Sequence, residues 1–166
     1  YWPAWARYLP EAFPFGHRST RPPHNPVNAV LSYLSTLLYG ECLASCHRRG
    51  LDPAIGFLHP PCNGRWSLPL DLMEPFRAAL TEPLTLRLFN HRILRQEHFE
   101  PRSGGIYLTS GGRRLLLGHY EKRLTARFLA EHSGTRTSLR DQIDATTLSF
   151  KAGLEDARLF VPFTLN

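Results

Sequence analysis

Cysteine is scarce in this chain. Three residues, Cys42, Cys46 and Cys62, cannot form a complete disulfide set, which excludes a disulfide-stapled secreted domain and points to a reducing compartment. Cys42, Cys46 and His47 fall short of a zinc site as well. The two cysteines sit at helical spacing within an apolar pattern, and no second Cys/His pair completes four ligands. No apolar run approaches the roughly 20 residues of a membrane span, and no charged-then-apolar leader opens the chain, so it reads as soluble and cytoplasmic. Internal repeats and low-complexity linkers are missing too, which excludes solenoids and tethered modules. The only methionine is Met73. With an aromatic opening, Tyr1-Trp2-Pro3-Ala4-Trp5, the chain reads as the C-terminal part of a longer protein. Acidic residues are in the minority, 14 against 20 Lys and Arg, for a net charge of +6 and a pI near 9.7. That balance favours an anionic partner, nucleic acid or anionic lipid.

What is present suits a core. The 166 residues are 42% hydrophobic, enough for a single helical domain over 1–166. A short aromatic helix is expected to about Leu9, broken by Pro10 and Pro14, then a basic loop holding His17, Arg18, Arg21 and His24. Asn25 can cap a helix with Pro26 at its first position. Val27, Val30, Leu31, Leu34, Leu37, Leu38 and Cys42 then keep a 3.6-residue period, and Gly50 ends the helix after His47-Arg48-Arg49. Glu41 lies close to the apolar face and is expected at its boundary, paired with an arginine.

Ser67 suits the N-cap of a second helix carrying Leu68, Leu70, Leu72, Met73, Phe76 and Leu80, with a kink at Pro75. Glu82-Pro83 is expected to close it, with a further helix running to about His91. A small β-hairpin is expected near 98–109 about a Ser-Gly-Gly turn. Gly111-Gly112 is read as its end, followed by an amphipathic helix from Arg113 to about His132 and a last helix from the Ser138/Asp141 capping box to about Ala152. Leu139, Ile143, Leu148 and Leu154 are assigned to the core, and the apolar tail from Leu159 to Phe163 is expected to pack down. The fold class is mainly α, a helical catalytic domain with one small hairpin.

Candidate chemistry is concentrated between Gly50 and Arg77. His59 ends the run Ile55-Gly56-Phe57-Leu58, and Asp71 and Glu74, three apart, fall on one helix face. Imidazole with carboxylate oxygens suits Mn²⁺ or Mg²⁺. In a basic helical domain such a cation fits cleavage or transfer of phosphodiesters, with arginines gathering the polyanion. Two alternatives stay open: a non-catalytic DNA-binding or assembly module in which these residues brace the fold, and a metal-dependent enzyme acting on a small phosphate ester.

Asn25-Pro-Val-Asn28, Gly50-Leu-Asp-Pro53, Gly56-Phe-Leu-His59 and above all Ser67-Leu-Pro-Leu-Asp-Leu-Met-Glu-Pro-Phe-Arg77 together resemble the C-terminal catalytic domain of the CRISPR-associated spacer integrases. The resemblance covers nearly the whole chain. It implies a metal-dependent DNA endonuclease and integrase in which captured 3′-hydroxyls attack phosphodiesters at the repeat array, working as a homodimer with a small second adaptation subunit. It also implies a three-ligand Mg²⁺ or Mn²⁺ site to which this chain brings His59 and Glu74, with Asp71 as the neighbouring acid. The family's first ligand, a glutamate ahead of the aromatic segment, and its N-terminal β domain are not in this sequence, and neither Glu11 nor Glu41 matches the missing position. Weak metal binding and little nuclease activity are therefore expected of this chain. Arg18, Arg21, Arg113, Arg114 and Arg123 are the expected DNA contacts.

Overall fold

The computed structural model describes residues 1–61, 63–130 and 134–164; Cys62 and His132 lie outside them. The order of elements is α1 (Trp2–Ala6), α2 (Pro26–Arg48), α3 (Leu68–Phe76), α4 (Glu82–Asn90), β1 (Phe99–Arg102), β2 (Gly105–Leu108), α5 (Ser110–Thr125), β3 (Phe128–Ala130), β4 (Thr135–Thr137) and α6 (Leu139–Gly153). The class is mainly α with small antiparallel hairpins, as expected. The chain packs as two compact units, Tyr1–Ser35 with Thr81–Arg123 and Thr36–Leu80 with Leu124–Asn166. Charge is divided unevenly between them. The first holds eleven Lys and Arg against five Asp and Glu, and the second nine of each, so the whole net charge of +6 belongs to the first.

In the first unit α2 begins as its sequence dictates. The Asn28 N–H donates to Asn25 Oδ1 at 2.8 Å, a side-chain cap, with Pro26 opening the helix. Asn28, 1% exposed, then fastens the basic loop, its Oδ1 accepting from Ser19 N–H and Arg18 and its amide donating to the His17 carbonyl. The same loop meets the hairpin, where Ile106 N–H donates to the Pro23 carbonyl at 2.8 Å. A Cβ on Gly105 would stand 2.7 Å from that of Pro22, which explains the glycine. The hairpin turns at Ser103 and Gly104, both at positive φ, the left-handed pair a two-residue turn requires.

Several expectations are corrected. Glu82-Pro83 closes nothing: α3 runs on through a π-helical turn, Arg77–Thr81, into α4. Pro75 and Pro83, neither able to donate, flank that widened turn, so the register shift takes the place of a break. Gly111-Gly112 lies inside α5, where the approach of Gly112 to the His98 carbonyl leaves no room for a side chain. That helix ends at Thr125, and Phe128 and Leu129 enter a second hairpin, β3–β4, that the heptad-like apolar spacing disguised. By length and composition α2 is long and apolar enough to cross a membrane, against the expectation that no such run exists. Val27, Val30, Leu34, Leu38, Cys42 and Cys46 on it are nonetheless fully buried within the protein.

In the second unit Gly50 takes φ +66 as the C′ residue of α2, and the Ser138/Asp141 capping box opens α6 as expected. Ser67 stands at the N-cap of α3 as expected, but its side chain makes no cap bond; the hydroxyl donates instead to the Pro60 carbonyl at 2.9 Å. Leu148 and Leu154 stay exposed, and Thr146 and Thr147 take the buried face of α6. Two sets of charges fasten α6 to α2: Arg140 with Glu41 at 3.2 Å, and Asp144 with Ser45, Arg48 and Arg49. The boundary pairing expected of Glu41 is thus present. Burial pushes both α2 thiols up, Cys46 to about 11, and His47 beside them is exposed; these are inert core cysteines.

Candidate metal centre

Asp71 stands in the first turn of α3, and the loop that precedes the helix folds back over its carboxylate. Its Oδ2 accepts from the N–H of Phe57 at 2.5 Å and of Leu58 at 3.1 Å, and its Oδ1 from the N–H of His59 at 3.0 Å. The His59 ring donates to the same Oδ1 from Nδ1 at 2.6 Å. Gly56 is where the loop pivots. A Cβ there would stand 2.7 Å from that of Ser67, 2.8 Å from the His59 carbonyl and 2.9 Å from Asp71 Oδ2, so the Gly-Phe-Leu-His run needs its glycine for close approach.

A carboxylate has no proton to give, so in the neutral ring the hydrogen sits on Nδ1 and Nε2 keeps its lone pair. This is the arrangement by which a carboxylate orients a metal-binding histidine and sharpens its basicity. Burial works to raise the Asp71 carboxyl, but the bonds from the His59 ring and from the three N–H groups outweigh it and hold the group below the ordinary aspartate range. The Asp71 side chain is 8% exposed and that of His59 32%. Asp71 is therefore a saturated acceptor, occupied in holding the histidine. The donor left open beside it is the imidazole Nε2.

Glu74, one turn further along α3, is 42% exposed, and Arg77 donates to its Oε1 from Nε at 3.0 Å. Any cation taken by Glu74 displaces or shares that guanidinium, a partner the spacing of Asp71 and Glu74 gave no sign of. Among the described residues no three His, Cys, Asp or Glu side chains gather into a metal cluster. His59 and Glu74 are two donors of the hard and borderline kind that Mg²⁺ and Mn²⁺ accept, which fits the expected pair and leaves the set partial.

Aromatic contacts brace this loop and helix from behind. Phe57 meets Phe150 of α6 edge-on at 5.3 Å, Phe150 meets Phe160 of the tail at 6.2 Å, and Phe163 stacks on the buried Phe76 at 4.4 Å. The tail thus packs chiefly through Phe163, while Leu159, Phe160 and Val161 remain exposed.

The five arginines expected at DNA differ in their surroundings. Arg18 donates to the Ser19 carbonyl, to Asn28 Oδ1 at 2.9 Å and to Ser32 Oγ at 3.0 Å, so its guanidinium serves the loop and the start of α2. Arg18→Ala is expected to destabilise the chain by about 2 kcal/mol in urea unfolding, the cost of leaving several part-buried acceptors unpaired. Arg113 donates to the Leu108 carbonyl at 3.3 Å, and Arg123 is half-buried. Arg21 and Arg114 are exposed. Arg102, not singled out by the sequence, lies exposed on the hairpin with its guanidinium 4.9 Å above the Tyr107 ring.

Residues 1–122 match the family described as CRISPR associated protein Cas1. The chain is 39% identical over 151 residues to a CRISPR-associated endonuclease Cas1 of Thermus thermophilus, covering 91% of this chain and 48% of that protein. It is 47% identical over 112 residues to another from Rhodospirillum rubrum, covering 67% of this chain and 33% of that protein. The chain thus spans about half, or less, of the length of the relatives it matches. A solved Cas1 protein from Thermotoga maritima superposes with a TM-score of 0.84 at 28% identity, over 99% of this chain and 50% of the other. A casposase bound to an integration product shares the fold with a TM-score of 0.89 at 22% identity, over 98% of this chain and 49% of that one.

Proposed function

Because the chain belongs to the CRISPR-associated Cas1 family, we propose that it carries most of the centre of a divalent-metal-dependent DNA endonuclease and integrase. Its reaction is phosphodiester transesterification that inserts captured DNA into the repeat array of CRISPR adaptation. The observation that carries this reading is the Asp71 carboxylate on His59 Nδ1, which sets the imidazole for a cation. His59 Nε2 and Glu74 hold Mg²⁺ or Mn²⁺; Asp71 positions the first of them. When bound, the cation supplies charge stabilisation at a phosphoryl oxygen. The basic first unit gathers the DNA backbone, and a second copy of the chain, a small second adaptation subunit and a cytoplasmic setting complete the reading.

The test compares Mn²⁺-dependent strand transfer into a repeat-containing duplex with turnover of a simple phosphate ester. Weak, metal-dependent strand transfer with no ester turnover is expected. Full activity that persists in His59→Ala refutes the site, and ester turnover alone moves the chain to another class of enzyme. The Arg77–Glu74 pair favours one further reading, a DNA-binding or assembly module without catalysis. It predicts duplex binding with no metal-dependent product.

For the DNA face, Arg21→Glu and Arg114→Glu are expected to weaken duplex binding. Each should reduce the slope of log K against log salt by about 0.9 for every phosphate that the arginine neutralises, in anisotropy titrations across salt. Unchanged slopes remove those residues from the interface.

A further inference from the structure

The segment that follows α6 turns back along that helix and is tied to it by its own backbone. Asp156 caps the short turn Ala157–Leu159 by accepting from the Arg158 N–H. Ser149 of α6 fastens what comes next, its hydroxyl donating to the Leu159 carbonyl at 3.2 Å and accepting from the Val161 N–H at 2.5 Å. A Cβ on Gly153 would stand 2.9 Å from that of Phe160, so α6 ends on a glycine where the segment lies against it. From that footing two rings reach the elements that carry the candidate metal centre. Phe163 stacks on Phe76, two residues beyond Glu74 in α3, and Phe160 meets Phe150, whose ring in turn meets Phe57.

An exposed phenylalanine on a loop is often of no consequence, but the backbone of Phe57 gives its ring a role. Its N–H makes the shortest of the three loop bonds to Asp71, at 2.5 Å, and Asp71 orients the His59 ring. The side chains around it bury little that could fix the loop's course: Ile55 is 62%, Phe57 68% and Leu58 75% exposed. The ring of Phe57 nonetheless meets Phe150 at 85°, and Phe150 meets Phe160 at 89°, the edge-on arrangement that aromatic pairs favour. A line of rings thus joins the segment after α6 to the loop that holds the histidine.

We propose that residues 157–163 form a strap that positions His59 for its cation, with Phe160 acting through Phe150 on Phe57 and Phe163 anchoring the strap on α3. This deepens the metal-centre reading above and rests on it. Phe57, Phe150 and Phe160 are positioning residues, each acting through the next. Asp71 can aim the imidazole only while the loop stays folded over its carboxylate, so the apparent affinity for a cation falls with the fraction of molecules in which it does. An aromatic pair can change that fraction by up to about tenfold.

The test measures Mn²⁺ affinity by calorimetry and, in the metal-free chain, the His59 Nδ1 proton resonance by NMR. Phe160→Ala is expected to weaken Mn²⁺ binding about 2- to 10-fold and to diminish the resonance, while Phe160→Tyr, which keeps the ring, stays close to the parent. Val161→Ala, on the exposed side of the same segment, should leave both unchanged. Phe57→Ala should weaken binding at least as much as Phe160→Ala. The double variant should lose no more than Phe57→Ala by itself, whereas two independent stabilising roles would make the losses multiply. Parent affinity in a folded Phe160→Ala, a loss of affinity with the resonance intact, an equal loss in Val161→Ala, or multiplying losses each overturn the strap and leave the metal site standing. No Mn²⁺ binding by the parent overturns the metal reading and the strap with it. If Phe160→Ala does not fold, Gly153→Ala takes its place under the same criteria, since it keeps every ring and forces Phe160 away from α6.

Discussion

Loss of measurable Mn²⁺ binding is the expected result of His59→Ala, and a weakening of about 10- to 100-fold is expected of Asp71→Ala, both by calorimetric titration. The first change removes a donor. The second leaves the donor in place and removes what aims it. Without the Asp71 carboxylate, the N–H groups of Phe57, Leu58 and His59 lose their common acceptor and the ring loses its fixed tautomer. A Nδ1 proton resonance in the NMR spectrum of the metal-free chain, present in the parent and absent from Asp71→Ala, reports that bond directly. Unchanged Mn²⁺ affinity in Asp71→Ala would show that the acid ties down the loop and nothing more. Arg77→Ala should tighten binding by no more than about fivefold, since an exposed i,i+3 ion pair is worth about 0–1 kcal/mol.

Asp71 also carries a pH signature. Its folded value lies below the ordinary one, so its contribution to stability is complete above the unfolded aspartate value near about 3.9 and is lost as pH falls through the folded value. Acid should therefore loosen the loop only once the pH falls below the ordinary aspartate range.

The second large effect is on stability. Asp144→Ala is expected to cost about 2 kcal/mol in urea unfolding, with little change in the slope against denaturant. One carboxylate there accepts from Ser45 Oγ at 3.0 Å, from Arg48 at 3.2 Å and from Arg49 through both oxygens, joining the end of α2 to α6. Its removal leaves a buried serine hydroxyl and two guanidiniums without their acceptor. Burial raises the Asp144 carboxyl, yet the bonds from Arg49 and Ser45 and the charges of Arg49 and Arg48 bring it below the ordinary range. By the same sign rule, the difference between parent and variant should be full at neutral pH and shrink below about pH 4. Glu41→Ala should cost less, about 0.5–1 kcal/mol, because the Glu41–Arg140 ion pair is partly exposed. Equal costs for the two would refute this ranking.

Some of the site was legible because its residues are adjacent in sequence. The three-residue spacing of Asp71 and Glu74 means one helix face wherever that helix lies. The capping signals at Asn25, Gly50 and Ser138 likewise act within a turn, and each appears in the structure as expected. Misreadings came where a local pattern had two solutions. Leu124, Phe128 and Leu129 continue a helical period, yet β3 pairs with β4 instead, because the partner strand lies several residues on and pairing is not a property of either strand alone. Gly111-Gly112 looked like punctuation, but Gly112 is small because the His98 carbonyl passes over it.

The amino-acid sequence by itself determined the mainly helical class, the metal-site candidates and the excess of positive charge, since periodicity, residue chemistry and formal charge do not depend on how the chain folds back. Only the tertiary structure shows what surrounds each acid. His59 and Asp71 are separated by a loop whose course no spacing specifies, and its return over α3 makes the Asp71 carboxylate the acceptor of the His59 ring and of three loop N–H groups. The same folding places Arg18 on Asn28 and binds the Trp66 backbone to Tyr39. A side chain's chemistry is intrinsic, but its partners are set by which backbone groups the fold brings within hydrogen-bonding distance.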